Sequence, residues 1–183
     1  MKQRLVLMIC AACALPACER FGSNRVLLRV PSPDGRIVAV CQEIPEFDGP
    51  SFDIRAERPD GTRIRQLLRS GDGDPCSELA WSPDGRLVAV LSTHVARVRV
   101  ADVARMLEQP EAASSRWAWR QFDLSPESDL RMGRRMQFVD RLEIEVTTCP
   151  YDPRETQRTQ TMRCTAEERP VRFVVPVPLA AGG

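Results

Sequence analysis

The stretch that decides the fold is Trp81–Val90, WSPDGRLVAV, which has a near copy at Pro31–Val40, PSPDGRIVAV. The aspartates of the two copies, Asp34 and Asp84, lie 50 residues apart. A phrase repeated at such a spacing indicates a repeated structural unit. We therefore expect the chain to be built from successive similar units.

The repeated Ser-Pro-Asp-Gly segment has the composition of a tight turn. Proline presets φ for the first central position of a type I turn, aspartate suits the second, and glycine tolerates a positive φ. The apolar run after each turn, IVAV or LVAV, is typical of a buried strand. The segments VLLRV and ELAW, which precede the turns, would be the partner strands. Each copy thus predicts an antiparallel hairpin.

The hairpins extend into longer units. Ser51–Glu57 and Thr62–Leu68 flank a turn at Arg58–Gly61 and complete four strands in the first unit. In the second unit, the added strands are predicted at Ala96–Asp102 and Arg116–Phe122. A degraded third copy is predicted at Met136–Val146, where Asp140-Arg141 replaces the Asp-Gly-Arg turn.

The phrase W-S-P-D-G-R followed by alternating apolar residues and alanine resembles the repeat of TolB-type β-propellers. The segment RPDGTRIRQLL, which ends at Leu68, is similar to the outer hairpin of such a blade. Propellers usually have four to eight blades, and this chain has room for about three. The resemblance implies a mainly β fold of about three antiparallel meanders, arranged as an incomplete propeller-like arc or a compact β-structure.

Residues 1–17 have the pattern of a bacterial signal peptide, with Lys2 and Arg4 before an apolar run that is too short to span a membrane. Leu15-Pro16-Ala17-Cys18 resembles the lipobox of bacterial lipoproteins. The resemblance implies cleavage before Cys18 and attachment of palmitate-type acyl chains to it. In such lipoproteins an aspartate after the cysteine favours retention in the inner membrane. Because Glu19 stands at this position, we expect the outer membrane.

The predicted organisation follows from these segments. A signal peptide occupies residues 1–17, a tether 18–24, the propeller-like β-domain 25–178 and a frayed C-terminus 179–183. A short helix is predicted at Asp102–Gln109, with Asp102 as its N-cap and Pro110 as its stop. Pro150–Arg163 is predicted to be a long excursion between two strands. Val171–Pro178 is predicted to be a final strand whose prolines exclude it from a central position.

The seven cysteines form two sets. Cys10, Cys13 and Cys18 belong to the signal and the lipid site, and four remain in an oxidising compartment, where disulfides form. Four cysteines allow three pairings. Order along the chain favours Cys41–Cys76 and Cys149–Cys164.

The composition excludes several function classes. The chain has 26 basic and 25 acidic residues, so charge gives no reason to expect nucleic-acid binding. Its only histidine is His94, and the four cysteines that follow the signal segment and Cys18 form no CxxC, which makes a zinc site a poor interpretation. Asp72 and Asp74 suit calcium, but the glycine and distal glutamate of an EF-hand loop are missing. No phosphate-binding glycine loop or G-x-S-x-G is present, so we predict no cofactor and no enzymatic activity.

Some side chains are candidates for contact with a partner: Arg97, Arg99, Trp119, Arg134 and Arg135. Charge at a sheet edge either blunts strand pairing or docks an acidic partner. Trp119 shares one strand face with Trp117, in a core or at a binding surface. The sequence thus favours a lipid-anchored envelope module that binds another envelope macromolecule. The alternative is a periplasmic hydrolase or inhibitor-like factor with a site near His94.

Overall fold

The computed structural model of the chain describes residues 24–47, 49–70, 75–92, 97–108, 119–124, 131–159 and 161–176. Within these ranges the fold is mainly β, as the sequence predicts. The strands are β1 Arg25–Pro31, β2 Val38–Ile44, β3 Ser51–Glu57, β4 Arg63–Ser70, β5 Cys76–Trp81, β6 Leu87–Ser92, β7 Arg97–Asp102, β8 Trp119–Asp123, β9 Arg131–Phe138, β10 Glu143–Pro150 and β11 Arg169–Val174. The helices are α1 Val103–Glu108 and α2 Pro153–Thr159.

The strands form three antiparallel sheets that are not closed into a barrel. The first sheet has the order β1-β2-β3-β4, the second β5-β6-β7-β8 and the third β11-β10-β9. Strands that are consecutive in sequence are neighbours, so each sheet is a meander. The first strand of each sheet packs beside that of the next, β1 against β5 and β5 against β9.

The two repeated phrases form equivalent hairpins, because Pro31 pairs with Val38 and Trp81 with Val88. Gly35 and Gly85 both have φ of 70°, which favours glycine. The serines contribute more than the sequence analysis anticipated. Ser82 Oγ donates to Asp84 Oδ1 at 2.6 Å and accepts from the Leu87 N–H at 2.9 Å. Each hairpin therefore closes through a side-chain network as well as a backbone turn.

The first and second sheets share an apolar core that includes Ile54, Leu68, Leu79 and Val88. Trp81 is 8% exposed in this core. Its indole Nε1 donates to the carbonyl oxygen of Val30 at 2.9 Å. A buried donor needs a partner, and this hydrogen bond joins the innermost strands of two successive sheets.

A second core lies between the second and third sheets. It combines Leu87, Leu91 and Val100 with Ile144 and Val146. Strand β6 is buried along its whole length because Val88 and Val90 face the first sheet, whereas Leu87 and Leu91 face the third. Burial on both faces explains why LVAV is an uninterrupted apolar run.

One helix agrees with the sequence-based prediction and the other corrects it. Asp102 is fully buried, accepts from the Arg105 N–H at 3.0 Å and pairs with Arg86 at 2.7 Å, so it caps α1 as expected. The excursion at Pro150–Arg163 is not all loop, because it contains α2. The Arg154 N–H donates to Asp152 Oδ1 at 2.8 Å, so Asp152 is the N-cap and Pro153 occupies the first helical position.

Gly133 sets the distance between the second and third sheets. A Cβ atom at this position would lie 2.6 Å from Leu91 Cδ1 and 3.2 Å from Leu91 Cγ. Leu91 is fully buried, so its side chain would have to shift within the core to accommodate the methyl group. We expect Gly133→Ala to lower the free energy of unfolding by about 1–3 kcal/mol, the usual cost of overpacking a core. Urea unfolding measures this change, and a variant as stable as wild type would contradict the close packing.

Candidate functional site

A polar pocket of about 250 Å³ lies at the seam between the second and third sheets. We call it the seam pocket, and it is lined by Glu78, Arg135, Met136, Gln137, Glu145 and Thr147. Glu78 comes from β5 of the second sheet, whereas the others come from β9 and β10 of the third. The strand register places Gln137 opposite Glu145 and Arg135 opposite Thr147. The fold thus gathers charged, amide and hydroxyl side chains around one opening.

Glu78 joins the two sheets. Its Oε2 accepts a hydrogen bond from the backbone N–H of Met136 at 2.5 Å. Burial raises the pKa of Glu78, and the Met136 N–H and the charge of Arg135 only partly offset that effect. The carboxylate is therefore held in a site that solvates it poorly, where an additional hydrogen-bond donor would stabilise its charged form.

The other side of the seam pocket is an ion-paired network. Arg172 Nε donates to Glu145 Oε2 at 2.7 Å, and Gln137 Nε2 donates to Glu145 Oε1 at 3.1 Å. The hydrogen bonds from Arg172 and Gln137 hold the pKa of Glu145 below its usual value. The two glutamates of one pocket thus have pKa values shifted in opposite directions.

Arg135 differs from the other candidate arginines. Within the described ranges its guanidinium makes no hydrogen bond or ion pair, although its charge acts on Glu78. Arg97 Nε donates to Asp123 Oδ1 at 2.8 Å and Arg99 Nε to Gln121 Oε1 at 3.3 Å. Arg134 pairs with Glu168 at 3.4 Å. Arg135 is therefore the candidate whose donors are open to a partner.

The positions of the remaining candidates limit their roles. Arg97 and Arg99 lie on β7, an interior strand of the second sheet, so they do not protect a sheet edge. Trp119 is half-buried and packs against the core between the first and second sheets. Arg134 and Arg135 lie on β9, which does form an edge of the third sheet. The structure brings only Arg135 of the predicted set into the seam pocket.

The cysteine pairings have different outcomes. Cys149 and Cys164 form the predicted disulfide, with Cα atoms 5.5 Å apart. The prediction of a Cys41–Cys76 disulfide is corrected, because both are free thiols. The two sulfurs do meet in the core between the first and second sheets. A hydrogen bond between them, together with burial, raises the pKa of Cys76, so this thiol stays protonated.

Several predicted features lie outside the described residues: Cys18 and its lipobox, the signal peptide, His94, Trp117, the aspartates at 72 and 74, and the segment 179–183. Among the described residues, no three His, Cys, Asp or Glu side chains are grouped so as to hold a metal ion. No helix in the described part of the chain is long and apolar enough to cross a membrane.

A second polar cluster covers the face of the first sheet that points away from the second. Glu57 is 2% exposed, and its Oε1 accepts from Arg55 Nε at 2.6 Å. Its Oε2 lies 3.1 Å from Arg29 Nη1 without the geometry of a hydrogen bond. Burial raises the pKa of the neighbouring Asp53, and the positive charge of Arg63 opposes this shift. This face of the first sheet therefore carries charged side chains that form ion pairs with one another.

The sequence analysis missed Glu78, Gln137, Glu145 and Thr147. Glu78 precedes LAW in the second copy of the repeat, where nothing in the local pattern marks it. The alternation of Glu143 and Glu145 with Ile144 and Val146 does show that Glu145 faces away from the core. Glu78 reaches the other pocket residues only because the second and third sheets stack, and no short-range sequence pattern encodes this stacking.

Comparison with solved structures supports the architecture. No family model and no curated protein matches the chain. Hsv2 from Kluyveromyces lactis, a β-propeller, is similar over 85% of this chain and 50% of its own, with 18% identity and a TM-score of 0.50. Hsv2 from Kluyveromyces marxianus has 15% identity and a TM-score of 0.48, over 85% of this chain and 51% of its own.

A further similar structure is the AtxE2 isopeptidase, with 14% identity and a TM-score of 0.45 over 79% of this chain and 26% of its own. The chain thus spans about half the length of the Hsv2 structures that it matches. At these identities the likeness concerns the fold alone. Three stacked meanders are consistent with a partial propeller arc.

The raised pKa of Glu78 predicts how the stability of the protein depends on pH. Because its pKa is raised in the native protein, the native state holds this proton more tightly than the unfolded state does. Its contribution to stability therefore falls as pH rises from about 4.5, the ordinary pKa of glutamate, through the native value. Glu78→Gln keeps an acceptor for the Met136 N–H but has no proton to lose. We expect the stability of this variant, relative to wild type, to increase between pH 4.5 and neutrality in urea unfolding.

Glu145→Gln is the matched control, because the pKa of Glu145 is lowered. Its stabilising effect is present above the ordinary pKa and is lost as pH falls through the native value. The stability of Glu145→Gln relative to wild type should therefore decrease as pH rises. If the relative stabilities of both variants changed in the same direction with pH, the opposite pKa shifts of Glu78 and Glu145 would be contradicted.

Proposed function

We propose that the chain is a lipid-anchored protein of the bacterial cell envelope that binds another envelope macromolecule through the seam pocket, without turnover. One observation carries this proposal. Glu78 and Arg135 line the same pocket, Glu78 with a poorly solvated carboxylate and Arg135 with no hydrogen bond to any described residue. A surface that places an acceptor on Arg135 and a donor on Glu78 satisfies both groups.

The chemistry of the seam pocket suits a polar group of a larger partner. Arg135 offers several N–H donors in a fixed planar arrangement that matches a carboxylate or a phosphate. Thr147 and Gln137 add a hydroxyl and an amide beside it. Hydrogen bonds to charged groups contribute about 1.5–3 kcal/mol each. Two or three such bonds give specificity for one inserted side chain, and the affinity for the partner then depends on the surrounding surface.

The proposed anchor rests on the lipobox ending at Cys18. Acyl chains on this cysteine would hold the protein to a membrane, since each buried CH₂ group adds about 0.8 kcal/mol. The short segment Glu19–Asn24 would then tether the β-domain close to the membrane. Tethering raises the effective concentration of partners that occupy the same surface. A modest affinity at the seam pocket is then sufficient for binding in the cell. Glu19 favours the outer membrane, with the domain facing the periplasm.

Site-specific photocrosslinking tests the role of the seam pocket. A benzophenone amino acid at Gln137, which lines the pocket, should give a discrete adduct in intact cells. Adding Arg135→Ala should reduce the yield of this adduct by about tenfold or more, because loss of one charge-assisted contact costs more than 1.4 kcal/mol. Denaturing electrophoresis with detection of the protein measures the yield.

Arg134→Ala is the control for this experiment. Arg134 is the neighbour of Arg135 on β9, has the same charge and pairs with Glu168 outside the pocket. Its replacement should leave the adduct within about twofold of wild type. Equal loss with both variants would indicate a diffuse charge effect, and equal retention would count against the seam pocket as the binding site.

Replacement of the lipidated residue tests the anchor. In Cys18→Ala the acyl acceptor is gone, so we expect the protein to leave the membrane fraction or to stay uncleaved. Ultracentrifugation of lysed cells and the mass of the mature N-terminus measure both outcomes. A Cys18→Ala protein that is processed and sediments like wild type would contradict the lipoprotein assignment without bearing on the seam pocket.

A further inference from the structure

Among the described residues, the third sheet has one strand fewer at its outer edge than the first and second sheets have. The first and second sheets each have four strands among the described residues, whereas the third has three and ends at β11. The position that β4 and β8 occupy in their own sheets is therefore vacant of described residues beside β11.

The backbone of β11 is oriented for pairing on this vacant side. The Val175 N–H donates to the Leu142 carbonyl at 2.7 Å, so Val175 faces the β10 side of the strand. Because backbone groups alternate in direction along an antiparallel strand, Pro170, Arg172 and Val174 face outward. No described residue makes a backbone hydrogen bond with the outward groups of these three. Pro170 has no N–H, as is usual on an edge, which leaves the N–H groups of Arg172 and Val174 as donors.

A group of half-buried apolar side chains extends from the core between the second and third sheets to this edge. The rings of Phe122, on β8, and Phe173, on β11, are 4.5 Å apart. Both are only half-buried, as are Leu124 and Val171. Val174, whose side chain lies on the opposite face of β11 with that of Arg172, is 67% exposed. In the second sheet, Trp119 of the outer strand β8 packs against the core that the first and second sheets share. The third sheet has no described strand in the equivalent outer position.

We propose that β11 accepts an extended segment of a partner protein as the antiparallel fourth strand of the third sheet. The segment is apolar at the alternate positions that face Phe122 and Phe173, and acidic at the position opposite Arg172. This inference rests on the proposed function, in that the partner is the envelope macromolecule, and it specifies the kind of segment that the partner presents. Strand addition of this type takes its affinity from main-chain hydrogen bonds and its specificity from alternate side chains.

A second copy of the chain that pairs about Arg172 is a poor occupant of this position. Antiparallel pairing of two β11 strands about their centre would place Arg172 opposite Arg172 and Pro170 opposite Val174. Like charges directly opposite each other destabilise a strand pair, and Pro170 contributes no donor. Arg172 pairs with Glu145 through Nε at 2.7 Å, but its side chain is 59% exposed, so its terminal N–H groups can still donate to an acidic residue on the added strand. Arg169 at the start of β11 is exposed and has the same sign.

Binding of a synthetic peptide to the purified full-length protein tests the proposal. The probe is a fluorescent peptide of sequence acetyl-EVEVEV-amide, measured by anisotropy. In antiparallel addition the residue opposite Arg172, a glutamate, directs its N–H toward β11. N-methylation of the glutamate amides should therefore weaken binding at least tenfold, whereas N-methylation of the valine amides should change it less than threefold. Equal effects of the two modifications, a larger effect at valine, or no binding of the unmodified peptide would overturn the proposal.

Variants at one position supply the matched protein controls. Val174→Pro removes an outward N–H and leaves the β10 side of the strand intact, so we expect at least tenfold weaker binding. Val174→Thr keeps the N–H and the side-chain shape, so binding should stay within threefold. Thermal unfolding of both variants verifies that the fold persists. Wild-type affinity in a folded Val174→Pro protein would overturn the proposal.

Three further outcomes separate this inference from its competitors. Arg135→Ala should bind the peptide like wild type, so a failure of the seam pocket in cells and a failure of strand addition are distinguishable. A variant that ends at Pro176 should also bind like wild type, and much tighter binding would assign the edge to the chain's own residues 177–183. Self-association of the wild-type protein that Val174→Pro abolishes would assign it to a second copy. Either of the last two results would overturn the proposal.

Discussion

The hydrogen bond from the Trp81 indole to the Val30 carbonyl is the contact on which the arrangement of the sheets depends. It joins the innermost strands β1 and β5 and buries the largest side chain type of the protein between them. A buried aromatic side chain contributes about 3–5 kcal/mol when compared with alanine, and an unpaired buried donor costs about 1–3 kcal/mol. The second sheet therefore has one favourable position against the first. With that position set, β6 has one face toward each neighbouring sheet, and the third sheet packs on Leu87 and Leu91.

This stacking determines where polar groups meet. The inner interfaces are apolar, while the far face of the first sheet carries the Arg29, Arg55 and Glu57 ion pairs. On the third sheet, the Glu145–Arg172 pair stands next to the seam where Glu78 reaches β9. Both ends of the arc thus differ from its interior in chemistry. Binding surfaces on a rigid set of sheets are expected at such seams and edges, where side chains are held in place but still reach solvent.

Much of the fold was predictable because its signals are local. Pro33, Asp34 and Gly35 specify a turn by their own backbone preferences, and the apolar run that follows specifies a strand. Asp102 likewise marks the start of α1 before any tertiary contact is considered. Helix α2 was missed, although Asp152 and Pro153 carry the N-cap and first-turn signals, because the polar composition of Pro150–Arg163 favoured a loop.

The candidate site was predictable only in part. Arg135 was identified from the charge of its neighbourhood, but the residues that distinguish it from Arg134 come from other strands. Glu78 reaches Met136 across 58 positions of sequence. The order of the cysteines identified both neighbouring pairs. Order carries no information on redox state: Cys41 and Cys76 are buried thiols, and the raised pKa of Cys76 keeps it in the less reactive protonated form.

Three meanders stack through their innermost strands, and we propose that the third sheet of this arc carries the binding surfaces. A map of nuclear Overhauser contacts in the folded protein tests it most directly. We expect contacts from the Trp81 indole proton to Val30 and Pro31, and between the rings of Phe122 and Phe173, together with slow solvent exchange of the indole proton. Rapid exchange of that proton, with neither set of contacts, would contradict the stacking and the seam pocket that depends on it.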